Sequence, residues 1–216
     1  MSDPHRVDLA VLRAEYTRSG IDEAHLHEDP FRQLDRWLDE AVSAGVKEPT
    51  AMTLCTVGRD GSPSARVVLL KGVERGLVFY TNYESQKGRE LADNPRAAVV
   101  LFWPDLERQV RVTGGVERLS RSESESYFRT RPRESQLGAW ASLQSQPVES
   151  RAALDARFDE VRAAHEGKDV PCPPHWGGYR LVPDSFEMWQ GRVGRMHDRV
   201  RYVPSGSGWT RERVMP

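Results

Sequence analysis

Between residues 50 and 118 the chain carries five short apolar, β-branched runs, each closed by turn residues, and this rhythm restricts the fold more than any other feature. The runs fall at 51–57, 65–71, 76–81, 97–103 and 109–116, with Arg59-Asp60-Gly61 reading as a turn after the first. Strands this short and this evenly spaced predict an antiparallel barrel, closed or partly closed. Strand character returns at 178–181, 186–190, 199–202 and 209–214. Early and late strands are expected to join one sheet system, giving a single domain over 29–216 and a mobile N-terminal segment over 1–28.

Helices are expected around this sheet. Asp29-Pro30 reads as an N-cap followed by proline at the first helical position. Phe31, Leu34, Trp37, Leu38, Ala41 and Val42 then recur at helical spacing until Gly45. Further helices are expected over 85–92, 122–130, 133–142 and 151–165, with Pro132 separating the second from the third. The class is therefore mainly β with flanking helices.

Composition excludes several functions. A chain of 216 residues with 38% hydrophobic and 29% charged residues is an ordinary soluble globular protein. A net charge of −1 gives no reason to expect nucleic acid or an anionic membrane as partner. No apolar run approaches a membrane span, and the N-terminus lacks the apolar centre of a secretory signal. Cys55 and Cys172 have no metal-ligand spacing, so no metal and a cytoplasmic location are expected.

Four groups of residues could carry chemistry. Ser85-Gln86-Lys87-Gly88 opens a helix, whose free N–H groups and partial positive charge attract phosphate. Tyr127, Arg131 and Ser135 recur every four residues and offer two hydroxyls and a guanidinium to a phosphate dianion. In the run from Phe186 to Arg199, alternation along a strand would set Arg195, His197 and Arg199 on one wall, suited to a planar anion. Arg66 and Lys71, five apart on one strand, are expected to face opposite sides. Each group is also compatible with a solvated face or strand end.

Taken together these motifs resemble the pyridoxine (pyridoxamine) 5'-phosphate oxidase family. Arg66-Val67-Val68-Leu69-Leu70-Lys71, Phe79-Tyr80-Thr81-Asn82, Arg108-Gln109-Val110, the stretch 127–145, Trp176-Gly177-Gly178 and the C-terminal run Glu187-Met188-Trp189-Gln190 through Arg195-Met196-His197-Asp198-Arg199 all resemble family blocks, in family order. The resemblance implies an FMN-binding split β-barrel, antiparallel, working as a homodimer with FMN between subunits. It implies oxidation of pyridoxamine or pyridoxine 5'-phosphate to pyridoxal 5'-phosphate, with O2 as acceptor and H2O2 as product.

By the same resemblance, FMN is contacted by Arg66, Val67, Val68, Leu69, Leu70, Lys71, Tyr80, Thr81, Gln86, Lys87, Gln109, Trp189 and Arg199, and by Gln144 and Ser145 from the second subunit. Lys71, Tyr127, Arg131 and Ser135 hold the substrate phosphate. Arg195 and His197 are the catalytic residues at the substrate ring. Arg13 and Tyr16 belong to a segment that closes over it. The chain departs from the family pattern at Gln86, where an arginine is usual, and at Met188, where an aromatic is usual. Gln86 is shared with related flavin oxidases of the phenazine type, one alternative. A non-catalytic module binding flavin or pyridoxal phosphate is the other.

Overall fold

A computed structural model describes residues 15–17 and 20–216. Its centre is a nine-stranded antiparallel sheet. In chain order the strands are β1 (Ala51–Val57), β2 (Pro63–Leu69), β3 (Gly72–Val73), β4 (Leu77–Asn82), β5 (Arg96–Trp103), β6 (Arg108–Arg118), β7 (Trp176–Gln190), β8 (Asp198–Ser205) and β9 (Gly208–Arg213). The helices are α1 (Pro30–Ser43), α2 (Gln86–Asp93), α3 (Arg121–Thr130), α4 (Arg133–Ala141) and α5 (Arg151–Ala164). The spatial order is β2-β1-β5-β6-β7-β4-β3, with β8 also on β7 and β9 on β8.

The sheet curls because two strands share one edge of β7. Its first six residues pair with β4 and its last five with β8, while β6 follows the other edge from Tyr179 to Gln190. The two separate strands expected over 178–190 are thus one. A register shift between Thr113 and Gly114 absorbs the bend, and a Cβ at Gly114 would lie 2.0 Å from the Val182 carbonyl oxygen. At the other edge the chain changes partner after β2. The Leu70 N–H donates to Thr50 O and the Lys71 N–H to Val78 O, which carries the chain from β1 to β4 and draws the curl together.

Inward-facing residues of the strands fill the core: Met52, Leu54, Leu101, Val110, Val112, Phe186, Met188, Val200 and Tyr202. Asp29 caps α1 through its side chain on the Phe31 N–H, and the helix lays Leu34, Trp37 and Ala41 over this core. Full burial of a side chain like Leu34 is worth roughly 1.5–3 kcal/mol. A smaller cluster of Phe128, Leu137, Val170 and Trp176 lies under α3, α4 and α5.

Of the segment expected to be mobile, the first fourteen residues and residues 18–19 lie outside the described residues, Arg13 among them. Residues 20–28 are docked. The Ile21 N–H donates to Asp198 Oδ2 at 2.8 Å, Tyr202 Oη donates to His27 O at 2.9 Å and Arg211 Nη1 donates to Leu26 O at 2.9 Å. No described helix is long and apolar enough to cross a membrane.

Candidate active site

A cavity of about 630 Å³ opens where β2, β4 and the α3–α4 turn meet. The edge strand β2 contributes Arg66, Val67, Val68 and Leu69, followed by Lys71. From β4 come Tyr80, Thr81 and Asn82, and from the first turn of α2 comes Lys87. The far wall holds Tyr127, Arg131, Ser135, Gln144 and Trp176. Arg66 and Lys71 share this cavity, although strand alternation set them on opposite sides. The strand ends at Leu69, Leu70 turns into the core, and the alternation is broken between them. Leu70 itself is buried and does not line the cavity.

Lys87 is a buried cation whose hydrogen-bond partners are all neutral. It is 8% exposed, and its Nζ donates to Gln144 Oε1 at 2.9 Å, Thr81 Oγ1 at 3.2 Å and Ser85 Oγ at 3.4 Å. Burial, aided by the nearby Arg66 charge, lowers its pKa to about 8. Gln144 makes these contacts within its own chain, where an approach from the second subunit was expected. Ser145, exposed and at φ 70°, is not among the lining residues.

Among the described residues Arg131 has no counter-ion. Because Pro132 follows it, its backbone is extended (φ −72°, ψ 147°), which ends α3 and starts α4 as expected. Gln136 Nε2 donates to both Phe128 O and Arg131 O at 3.1 Å and fixes this turn. The guanidinium lies 4.6 Å from the Trp176 ring centroid, and its buried Nη1 has no hydrogen-bond partner. Burial lowers the Arg131 pKa. The Tyr80 and Tyr127 rings stack 3.9 Å apart beside it. An unpartnered buried donor is expensive, and an anion with several oxygens is the ligand that satisfies it.

Arg66 reaches the cavity from a second buried network. Its Nη2 donates to Ser64 Oγ at 2.5 Å and to Glu90 Oε2 at 3.2 Å, and Nη1 contacts Thr56 Oγ1. Burial alone would raise the Glu90 pKa, but hydrogen bonds from Ser64, Thr56, Gln86 and Arg66 hold it at about 2. Gln86 spends its amide on this carboxylate, Nε2 to Glu90 Oε1 at 2.9 Å, and does not line the cavity. Glu90 was missed from the sequence, although the i,i+4 spacing from Gln86 places the two on one helix face.

The remaining candidates gather elsewhere in the same chain. The wall expected to carry Arg195, His197 and Arg199 is not a strand. After β7 ends at Gln190 a 3-10 turn spans Val193–Arg195, with Gly194 at φ 67° and Arg195 at φ 61°, and β8 begins only at Asp198. Two successive left-handed residues reverse the chain and break the alternation. Arg195 is exposed there. Arg199, on β8, instead grips Glu187 with both carboxylate oxygens, at 3.0 and 2.8 Å.

His197 packs against Trp189 (ring centroids 4.8 Å apart) and edge-on against Tyr16 (5.2 Å), with Tyr16 also edge-on to Trp189 at 5.5 Å. The Arg192 N–H donates to His197 Nδ1 at 3.1 Å, so the neutral ring carries its proton on Nε2 and can donate from there. Gln109 pairs in register with Trp189, and Trp189 with Arg199. Met188, fully buried, points the other way into the core. Arg66, Lys87 and Arg131 therefore belong to one group, and Tyr16, Trp189 and His197 to another. The two groups lie toward opposite ends of β7, whose first residue, Trp176, lines the cavity and whose penultimate residue, Trp189, packs on His197.

These features find their counterpart among known proteins. Residues 38–165 match the family described as pyridoxamine 5'-phosphate oxidase, and residues 176–216 match the pyridoxine 5'-phosphate oxidase C-terminal dimerisation region. A pyridoxine/pyridoxamine 5'-phosphate oxidase of Rubrobacter xylanophilus is 55% identical over 100% of both chains. One from Bordetella petrii is 56% identical over 97% of this chain and 100% of its own. Among solved structures, PhzG from Burkholderia lata 383, in complex with tetrahydrophenazine-1-carboxylic acid, superposes with a TM-score of 0.87 at 32% identity, covering 94% of this chain and 100% of that one. A pyridoxamine 5'-phosphate oxidase-related, FMN binding protein from Nostoc punctiforme shares the fold (TM-score 0.69, 17% identity, 87% of this chain and 97% of that one). By sequence, by fold and by the order of its motifs, the chain belongs to the pyridoxamine 5'-phosphate oxidase family of split-barrel proteins.

Proposed function

We propose that the protein is a cytoplasmic FMN-dependent oxidase that converts pyridoxamine 5'-phosphate, pyridoxine 5'-phosphate or both to pyridoxal 5'-phosphate. The balanced reaction of the amine is substrate plus O2 plus H2O giving aldehyde, NH3 and H2O2. The alcohol gives aldehyde and H2O2 without water. The observation that carries this reading is the pairing, in one cavity, of a buried Lys87 and a half-buried Arg131, neither of which forms an ion pair among the described residues. Two phosphate groups, one on the cofactor and one on the substrate, are the chemistry such a pair fits.

Lys87 and Arg66, at the α2 end, would hold the FMN phosphate together with Thr81 and Gln144. FMN, when bound, supplies the two-electron acceptor and the route to oxygen. Arg131 and Lys71 would hold the substrate phosphate, with the Tyr127 and Ser135 hydroxyls filling its remaining oxygens. His197 would donate from Nε2 to an oxygen substituent of the substrate ring, and Arg195 would cover that ring. Such fixed orientation can be worth roughly 7–11 kcal/mol of barrier at best.

Arg195 and His197 would come from the partner subunit, because within one chain they belong to the other cluster. A two-fold dimer through the outer sheet face would unite them. That face exposes Val67 (67%), Leu69 (38%) and Phe102 (50%). Its C-terminal strands lie in the stretch that matches the dimerisation region.

A second reading, oxidation of a reduced phenazine-type ring, is favoured by the likeness to PhzG. One anaerobic titration separates the two. Pyridoxamine 5'-phosphate should bleach the flavin band of the purified protein, and air should restore it with one equivalent of H2O2. Bleaching by a dihydrophenazine carboxylate but not by pyridoxamine 5'-phosphate would overturn the vitamin B6 assignment.

A further inference from the structure

Trp176-Gly177-Gly178 is a conspicuous block to which neither the cofactor nor the substrate assignment gives a role. In the structure it builds a stack of aromatic rings. Trp176 opens β7, is 6% exposed and lines the cavity. Its ring is within 6° of parallel to Tyr127 and within 11° of parallel to Tyr80, with centroids 6.3 and 5.4 Å away. The stack depends on Gly178, which sits directly opposite Tyr80 in the β4–β7 register. A Cβ there would lie 2.8 Å from Tyr80 Cε1 and 2.6 Å from Leu119 Cδ1. Only glycine lets the Tyr80 ring lie across the strand toward Trp176.

Arg131 rests on this stack. Its Cζ is 4.6 Å from the Trp176 centroid and 5.5 Å from that of Phe128. A π face attracts a guanidinium but does not cancel its charge as a carboxylate would. Arg66 shows the contrast, since it is paired with Glu90. We propose that Trp176 is a positioning residue that holds the Arg131 guanidinium over its ring and leaves its charge and its free Nη1 donor for the substrate phosphate. This rests on the assignment of Arg131 to that phosphate.

The test is calorimetry on the FMN-loaded protein with 4-deoxypyridoxine and its 5'-phosphate, which lack the oxidisable substituent, and with inorganic phosphate. Wild type should bind the phosphate ester at least a hundredfold more tightly than the parent compound. Trp176→Leu, which keeps an apolar side chain but loses the π face, should weaken the ester and inorganic phosphate about tenfold and leave the parent compound within twofold. Trp176→Phe should weaken the ester only about twofold to threefold. In an Arg131→Ala background neither change should have any further effect on the ester, and this cycle decides the matter with Trp176→Phe alone if the leucine variant does not fold.

Equal losses for the ester and the parent compound, or undiminished losses in the Arg131→Ala background, would reduce Trp176 to a packing residue. A wild type that binds ester and parent alike would instead overturn the phosphate site itself.

Discussion

Glu90 accepts a hydrogen bond from Arg66 at 3.2 Å through the same oxygen that accepts from Ser64 at 2.6 Å and Thr56 at 2.5 Å. The carboxylate is the fixed counter-charge behind a cavity that is otherwise cationic. It keeps the Arg66 guanidinium in place when no anion is bound. Glu90→Gln preserves the shape and removes the charge, leaving a largely buried guanidinium unpaired. The expected cost is about 1–3 kcal/mol, a fall in Tm of about 2–12 °C for a domain of this size. The pH dependence follows from the carboxyl group's pKa, about 2 in the folded chain against an ordinary 4.5. Its contribution is fully present above pH 4.5 and is lost as pH falls toward 2. The Tm gap between wild type and variant should therefore be constant at neutral pH and narrow below 4.5. A gap of the same size at pH 3 would show that the charge is not its source.

Lys87 predicts an alkaline limit to cofactor binding. With a pKa of about 8, it begins to lose its charge just above neutrality. Its acidic neighbour Glu90, with a pKa of about 2, stays ionised throughout pH 7 to 9.5. The affinity of the apoprotein for FMN, followed by quenching of flavin fluorescence, should fall steadily over that range. Riboflavin, which lacks the phosphate, should show no such fall. Lys87→Met should weaken FMN about 10–100-fold at pH 7, the scale of a charge-assisted hydrogen bond, and should flatten the profile. A profile for Lys87→Met that still falls above pH 8 would assign the titration to another group.

The contrast between α2 and the Gly194-Arg195 turn shows what a sequence of this kind makes legible. Strand spacing, the Asp29 and Ser85 caps and the break at Pro132 are local signals, and the chain folds where they place it. The phosphate-type residues of β2, β4, α3 and α4 come together because those elements surround one cavity. Arg195 and His197 were misjudged in conformation because alternation was extended past the end of a strand. The residue types permit a strand there, and only the pairing of β7 with β8 shows where it stops. Leu70 turns away from the cavity for a related reason, since the change of strand partner after β2 is a tertiary event. Glu90 went unnoticed because a single carboxylate on an amphipathic helix looks like a solvated one until Thr56 and Ser64, distant in sequence, are brought to it.

Phe102 offers a direct handle on assembly. It is half exposed on the outer face of β5, in register with Gln109 on β6, which is in turn in register with Trp189. If that face is the subunit interface, Phe102→Asp buries a charge between subunits and should shift the protein from twice its 24.5 kDa chain mass toward the monomer in light scattering. Turnover should fall with the dimer fraction, since each site would then lack the partner's Arg195 and His197. A Phe102→Asp protein that remains fully dimeric would move the interface elsewhere.

Arg195 and Arg131 should fail in different ways. Arg131 is assigned to the phosphate, which does not react, so Arg131→Ala should raise KM with a smaller effect on kcat. Arg195 is assigned to the reacting ring, so Arg195→Ala should lower kcat as well as weaken binding. Arg195→Lys should recover little, because an ammonium has no planar face to lay over a ring. The backbone at this position, φ 61°, adds a control. Glycine adopts that conformation without strain, so Arg195→Gly should match the alanine variant in kcat if the side chain is what matters. Recovery of activity by glycine alone would mean that backbone shape, and not the guanidinium, is what the turn supplies. Steady-state kinetics of all four variants at saturating FMN distinguish these outcomes. An Arg195→Ala enzyme with wild-type kcat would remove Arg195 from the reacting ring and leave His197 as the residue that orients it.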